Sequence, residues 1–213
     1  MQVETVFPAA DGTPMPAVLT VPDGADGPVP GVLMIYEIFG MSDEMRRVAR
    51  DLAAEGYAVL IPDLFARGRV CPLCVAATMR TMVAGTRLGT IGFCMGGSFA
   101  LLLARTGLYK VSAPFYGRPP DLPRSCPVVA SFGGRDLGMR GAPEKLTADL
   151  DAAGVPHDVK VYPDAGHSFF TRTPGLTGQL VRRLPIHAEY HEASAQDAHC
   201  RVVAFFREHL GAP

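Results

Sequence analysis

The stretch Arg87-Leu-Gly-Thr-Ile-Gly92-Phe-Cys94-Met-Gly96-Gly-Ser-Phe-Ala-Leu-Leu-Leu-Ala-Arg-Thr106 decides the fold. Arg87–Phe93 reads as a buried strand and Met95–Thr106 as a helix, with Gly92-Phe-Cys94-Met-Gly96 between them. That is the G-x-nucleophile-x-G form of a nucleophile elbow, with cysteine at its centre. A strand that turns sharply into a helix leaves no room for Cβ atoms at the flanking positions, and it holds the central residue in a strained conformation. A sulfur there meets unpaired N–H groups and the positive end of the helix dipole, a setting that suits an anion.

Outward from this turn, strands alternate with helices, the pattern of an α/β protein with a mainly parallel sheet and helices on both faces. Residues 2–7 and 16–21 read as two short strands parted by Ala10-Asp-Gly-Thr-Pro14, and Val29–Tyr36 is the apolar run of a strand covered on both faces. Ser42 can cap a helix whose Met45, Val48, Ala49, Leu52 and Ala53 form an inward stripe that Gly56 ends. Tyr57–Ile61, Val111–Phe115, Pro127–Phe132 and Asp158–Tyr162 are further strands, and Pro143–Ala153 is a helix. Residues 71–85 are expected to be a short helix and 172–188 a loop. The last segment, Glu189–Leu210, is expected to be one long helix with Ala195, Ala198, Val202, Phe205, Phe206 and Leu210 inward.

Composition narrows the function classes. The 213 residues are 48% hydrophobic and 19% charged, with 20 Lys and Arg against 21 Asp and Glu, a net charge of −1. That balance excludes disorder and argues against a nucleic-acid or polybasic membrane surface. The length suits one substantial core, a single domain spanning 1–213. Apolar runs such as Val32–Tyr36 and Ser98–Ala104 fall far short of the ~20 residues a membrane span needs. No signal-peptide pattern opens the sequence, and five scattered cysteines suit reduced thiols. The expectation is a cytoplasmic protein, monomeric because no exposed apolar stripe stands out.

A cysteine nucleophile needs a base, and the base needs an orienting acid. His167 sits in Tyr162-Pro-Asp-Ala-Gly-His167-Ser-Phe-Phe, a glycine-containing loop just beyond a short strand. Asp136 ends Val128-Val-Ala-Ser-Phe-Gly-Gly-Arg-Asp136, a buried strand running into a glycine-rich loop. The order Cys94, Asp136, His167 is that of the α/β-hydrolase triad. Asp164 is the rival acid, but its place three residues before His167 suits shaping of the loop.

These pieces resemble the dienelactone hydrolase family, the thiol-dependent branch of the α/β hydrolases. The matching segments are Tyr36-Glu-Ile-Phe-Gly40, Gly56-Tyr-Ala-Val-Leu-Ile-Pro-Asp-Leu-Phe65, Gly92-Phe-Cys-Met-Gly-Gly97, Gly134-Arg-Asp136 and Gly166-His-Ser-Phe169. The resemblance implies Cys94 as nucleophile, His167 as base and Asp136 as orienting acid. It implies that Glu37 hydrogen-bonds the resting thiol and takes its proton, and that the N–H groups of Ile38 and Met95 form the oxyanion hole. Ser168 would help bind a substrate carboxylate, the substrate being expected to be anionic, and Phe39 would line the substrate site. The reaction implied is opening of a small lactone or enol ester through a thioester that water then hydrolyses. It needs no metal and no organic cofactor.

The chain departs from the family in its short segment Ala66–Thr86, where a substrate-binding arginine is expected and Arg67 and Arg69 are the candidates. The family's second arginine falls on Thr171, with Arg172 adjacent. Cys71-Pro-Leu-Cys74 lacks a second ligand pair for zinc and the setting of a thioredoxin-like fold, and His187 and His191 could share a helix face. Three other readings stay open: a general small-ester carboxylesterase, a thiol redox protein using Cys94 with Cys71 or Cys74, and a binding module that kept the fold.

Overall fold

One sheet organises the computed structural model, which describes residues 1–8, 12, 14–66, 87–172 and 186–211. Its strands are β1 (Gln2–Pro8), β2 (Pro14–Thr20), β3 (Gly31–Ile35), β4 (Ala58–Pro62), β5 (Leu88–Phe93), β6 (Val111–Phe115), β7 (Val128–Gly133) and β8 (His157–Tyr162). Across the sheet they run β1-β2-β4-β3-β5-β6-β7-β8. The β1–β2 and β2–β4 pairs are antiparallel, and every pair from β4 to β8 is parallel.

The parallel strands β3, β5, β6 and β7 are buried at every residue. That is why they read as largely apolar runs, broken only by the buried hydroxyls of Thr90, Ser112 and Ser131: helices cover both faces, so neither alternate residue meets water. The helices are α1 (Asp43–Ala54), α2 (Met95–Ala104), α3 (Ala142–Ala152) and α4 (Glu192–Leu210). Ser42 caps α1 as expected, its hydroxyl oxygen accepting the Met45 N–H at 3.3 Å, and the Met45, Val48, Ala49, Leu52 and Ala53 stripe is buried. Helix α2 is apolar on most of its surface because it lies against β3, β5 and β6.

Helix α4 corrects two expectations. It begins at Glu192 rather than Glu189, because the His191 side chain accepts the Ser194 N–H and so occupies the cap. Val203 joins its buried face, while Phe205 is only half-buried and packs its ring 4.4 Å from that of His209. Arg201 pins α4 to the sheet: its guanidinium donates to Asp158 at 2.8 Å and to Ser131 Oγ and the Tyr162 hydroxyl, each at 3.1 Å. Among the described residues no helix is long and apolar enough to cross a membrane. The expected 71–85 helix lies outside the described residues. Strands β3 to β8 all end on one edge of the sheet, and their loops place Glu37, Cys94, Asp136 and His167 there, where open α/β sheets bind ligands.

Candidate active site

Cys94 takes φ 54° and ψ −116°, a conformation that an L side chain rarely adopts. The surroundings impose it. A Cβ on Gly92 would stand 2.0 Å from the Gly96 carbonyl oxygen, and one on Gly96 would stand 2.2 Å from the Ile35 oxygen. The elbow therefore closes backbone on backbone against the end of β3. Cys94 N–H donates to the Phe115 carbonyl at 3.1 Å, and its own carbonyl accepts from Gly97 and Ser98 N–H, so the strained turn is held from both sides.

His167 reaches the elbow from the loop after β8. Its N–H donates to the Ile186 carbonyl at 2.8 Å, and Gly166 approaches His187 so closely that a Cβ would lie 1.9 Å from that carbonyl oxygen. The His167 Nδ1 lies 2.5 Å from Asp136 Oδ2, with the histidine 8% and the aspartate 3% exposed. The other Asp136 oxygen accepts the Gly138 N–H at 3.0 Å. With Nδ1 engaged, the remaining imidazole nitrogen is the one free to serve Cys94, whose side chain lies near enough to favour the imidazolium. Burial opposes the imidazolium, but the hydrogen bonds to Asp136 and Cys94 and their charges outweigh it, lifting His167 to about 10. Asp164 is exposed in the preceding turn and takes no part in this pairing.

Glu37, expected on the resting thiol, is engaged elsewhere. It is 4% exposed, and its Oε1 accepts the Thr171 hydroxyl at 2.7 Å and the Tyr116 hydroxyl at 3.1 Å. Ser168, expected on substrate, is buried directly after His167, with φ 55°. Burial pushes the Glu37 carboxyl up, and the hydroxyl donors pull against it. Tyr116 escaped notice in the sequence. It follows β6 with φ 39°, and its ring centroid lies 4.9 Å from that of His167, so one residue touches both the acid and the imidazole. Its signal was a polar aromatic directly after a buried, largely apolar strand.

The remaining residues sort by position. Met95 opens α2, where the first N–H groups lack intrahelical acceptors. Ile38 lies in the Glu37–Gly40 turn, closed by a 3.0 Å bond from Gly40 N–H to the Glu37 carbonyl. Since Gly96 abuts Ile35 and Tyr36, this turn and the start of α2 are neighbours across the elbow. Phe39 is exposed on the same turn. Arg172 is drawn the other way: its guanidinium stacks 4.0 Å from the Tyr190 ring and faces Glu44. His187 and His191 share no helix face, because both precede α4; His187 meets Arg135 and His191 forms the cap. Arg67, Arg69, Cys71 and Cys74 lie outside the described residues.

A nucleophilic atom, a base within reach of it and a carboxylate behind the base can carry out acyl transfer. The sequence profile of the dienelactone hydrolase family matches residues 15–85 and 74–210. A carboxymethylenebutenolidase of Rhodococcus opacus is 30% identical, over 84% of this chain and 81% of that protein. Among solved structures, a dienelactone hydrolase-like promiscuous phosphotriesterase from metagenomic libraries superposes with TM-score 0.82 at 22% identity, covering 98% of both chains. Thermogutta terrifontis esterase 2 superposes with TM-score 0.72 at 14% identity, over 97% of this chain and 94% of that one. These two share the fold, an α/β hydrolase. With the profile spanning nearly the whole sheet and its site-bearing loops, the chain belongs to the dienelactone hydrolase family.

Proposed function

We propose that this protein, as a single domain, hydrolyses small lactones or enol esters with Cys94 as the nucleophile. The observation that carries the reading is the strained Cys94 in contact with a histidine whose far nitrogen is held by Asp136. Strain of this kind persists where the surrounding structure over-determines it, and such residues cluster at active sites.

His167 takes the thiol proton, and the sulfur attacks the ester carbonyl carbon. The carbonyl electron pair moves to oxygen, where the Ile38 and Met95 N–H groups stabilise it; losing one such donor typically costs about 10²–10³ in rate. The tetrahedral adduct collapses, the C–O bond breaks with its electron pair, and the enolate departs and then takes the proton from the His167 imidazolium, which is left neutral. Cys94 is left as a thioester. Neutral His167 then takes a proton from water, the hydroxide adds to the thioester carbonyl, and collapse expels the sulfur and releases the acid. An imidazolium held to about 10 is a reluctant proton donor, so leaving groups that depart as stabilised anions suit this site. Alkoxide and amine leaving groups suit it poorly.

The test is hydrolysis of a phenyl or enol ester by wild type, Cys94→Ala and Cys94→Ser, with acid-quenched mass spectrometry. Wild type should turn over and show an acyl adduct on the peptide carrying Cys94, and Cys94→Ala should show neither. Wild-type activity retained in Cys94→Ala overturns the proposal, and peroxide turnover with a disulfide to Cys94 in place of hydrolysis favours the redox reading.

A further inference from the structure

We infer that the outer edge of β8 is a dimer interface, on which a second copy of this chain lays its own β8 antiparallel about a two-fold axis through Val159. The inference departs from the monomer expected from the sequence, and it does not depend on which residue is the nucleophile.

Strand β8 closes the sheet on one side, and among the described residues no strand lies beyond it. Its even-numbered residues turn their carbonyls toward β7: the Val128 N–H donates to the Pro156 carbonyl at 3.1 Å and the Gly134 N–H to that of Tyr162 at 2.8 Å. Backbone groups alternate along a strand, so the N–H and C=O groups of His157, Val159 and Val161 point away from the sheet. Such a row is a template for another strand.

Charged side chains commonly guard an edge against pairing, and here they also choose a register. Asp158 and Lys160 lie on the α4 side of β8, where Arg201 holds the aspartate and Asp197 the lysine, each at 2.7 Å. Both side chains stay partly in water, Asp158 46% and Lys160 43% exposed. A two-fold antiparallel ladder through the outward groups can centre on Asp158, on Val159 or on Lys160. Centring on Asp158 sets the two aspartates opposite each other, and centring on Lys160 does the same to the two lysines. Like charges directly opposite are destabilising. Centring on Val159 instead puts each Asp158 opposite the other copy's Lys160. The charges then alternate in sign across the joint, from Asp197 and Lys160 of one copy to Asp158 and Arg201 of the other.

The opposite face of the strand agrees. Val159 packs against the apolar cluster under α3, and His157 Nε2 lies 3.7 Å from Asp151 of that helix. Beside them Val161 is 43% exposed, a large apolar side chain left in water. In the Val159 register it lies across from the second copy's His157, which covers it. The contact uses the same surface on both copies, so it closes as a dimer and does not propagate.

The experiment is sedimentation equilibrium of the full chain at low salt. One short strand buries little area, so a weak dimer is expected, visible between ~1 and ~100 µM. The wild-type mass should rise with concentration from the 22.7 kDa of one chain toward twice that value. Val161→Pro removes an outward donor, leaves the bonds to β7 in place and should stay at one chain's mass with an unchanged far-UV spectrum. Lys160→Glu and Asp158→Lys each oppose like charges in this register and should each weaken association by tenfold or more. Mixed in equal amounts, the two variants again set opposite charges face to face and should form heterodimers. Wild type at one chain's mass throughout the range overturns the inference without any variant having to fold. A dimer that persists in Val161→Pro overturns the edge, and charge variants that dimerise like wild type, or fail to combine when mixed, overturn the register.

Discussion

Asp136 and His167 are joined side chain to side chain at 2.5 Å, both buried, from loops that follow adjacent parallel strands. The bond fixes which imidazole nitrogen faces Cys94. An amide in place of the carboxylate can present its N–H to Nδ1, which selects the wrong tautomer. Asp136→Asn should therefore lower kcat by about 10³–10⁴ in the proposed reaction while the far-UV spectrum stays unchanged. Steady-state kinetics on a phenyl ester measures this, and a loss below tenfold would remove Asp136 from the mechanism.

The same pairing sets a pH dependence for stability. His167 is raised from its ordinary 6.5 to about 10, so the folded state holds the proton more tightly than the unfolded chain. A raised histidine contributes stability that is complete below pH 6.5 and is lost as pH rises through about 10. The urea midpoint of wild type minus that of His167→Gln should thus be largest near pH 6, smaller near pH 8.5 and smallest above about pH 10. A difference that grows with pH would contradict the assignment.

Much of this site was legible because local necessity shows in residue types. Gly92 and Gly96 announce the elbow, since backbone oxygens at 2.0 and 2.2 Å exclude any side chain there. The largely apolar runs at β3, β5 and β7 announce strands buried on both faces, and the strand order delivers Cys94, Asp136 and His167 to one edge. The partners of Glu37 were not legible, because Tyr116 and Thr171 stand 79 and 134 residues away and the choice among hydroxyls, thiol and solvent is made by tertiary packing. The partners of Arg172 were not legible for the same reason: Tyr190, from the approach to α4, lies beneath its guanidinium. The start of α4 was misjudged because histidine is an uncommon cap, and His191 acts as one.

Gly96→Ala tests the elbow's geometry apart from its chemistry. The added Cβ would meet the Ile35 carbonyl carbon at 2.7 Å as well as its oxygen at 2.2 Å, and backbone cannot swing aside as a side chain can. The variant should lose several degrees of thermal midpoint or fail to accumulate as folded protein. Gly27→Ala, where a Cβ meets nothing within 4 Å, is the matched control and should leave the midpoint within about a degree. Equal midpoints for the two variants would mean that β3 and α2 do not meet as described.

Arg201 gives the last prediction, one about stability away from the nucleophile. Its side chain is 14% exposed and bridges α4 to β7 and β8 through Ser131, Asp158 and the Tyr162 hydroxyl. Tyr162 ends the strand that leads into the His167 loop, and Asp197 holds its hydroxyl from the other side at 2.7 Å. Replacing Arg201 with methionine keeps the apolar stem and removes every donor, leaving the Ser131 and Tyr162 hydroxyls short of a partner. Hydrogen bonds to a charged group are worth about 1.5–3 kcal/mol net, so a loss of about 2–4 kcal/mol is expected, discounted because Asp158 is partly solvated. For a chain of this size that lowers the thermal midpoint by roughly 4–16 °C. Arg201→Lys should recover little, since one ammonium cannot reach three separate acceptors in the guanidinium's planar geometry. Differential scanning calorimetry at pH 7 measures both variants, and esterase kcat well below the midpoint should hold in each. A midpoint within 2 °C of wild type for Arg201→Met would show that α4 is held by its apolar face alone.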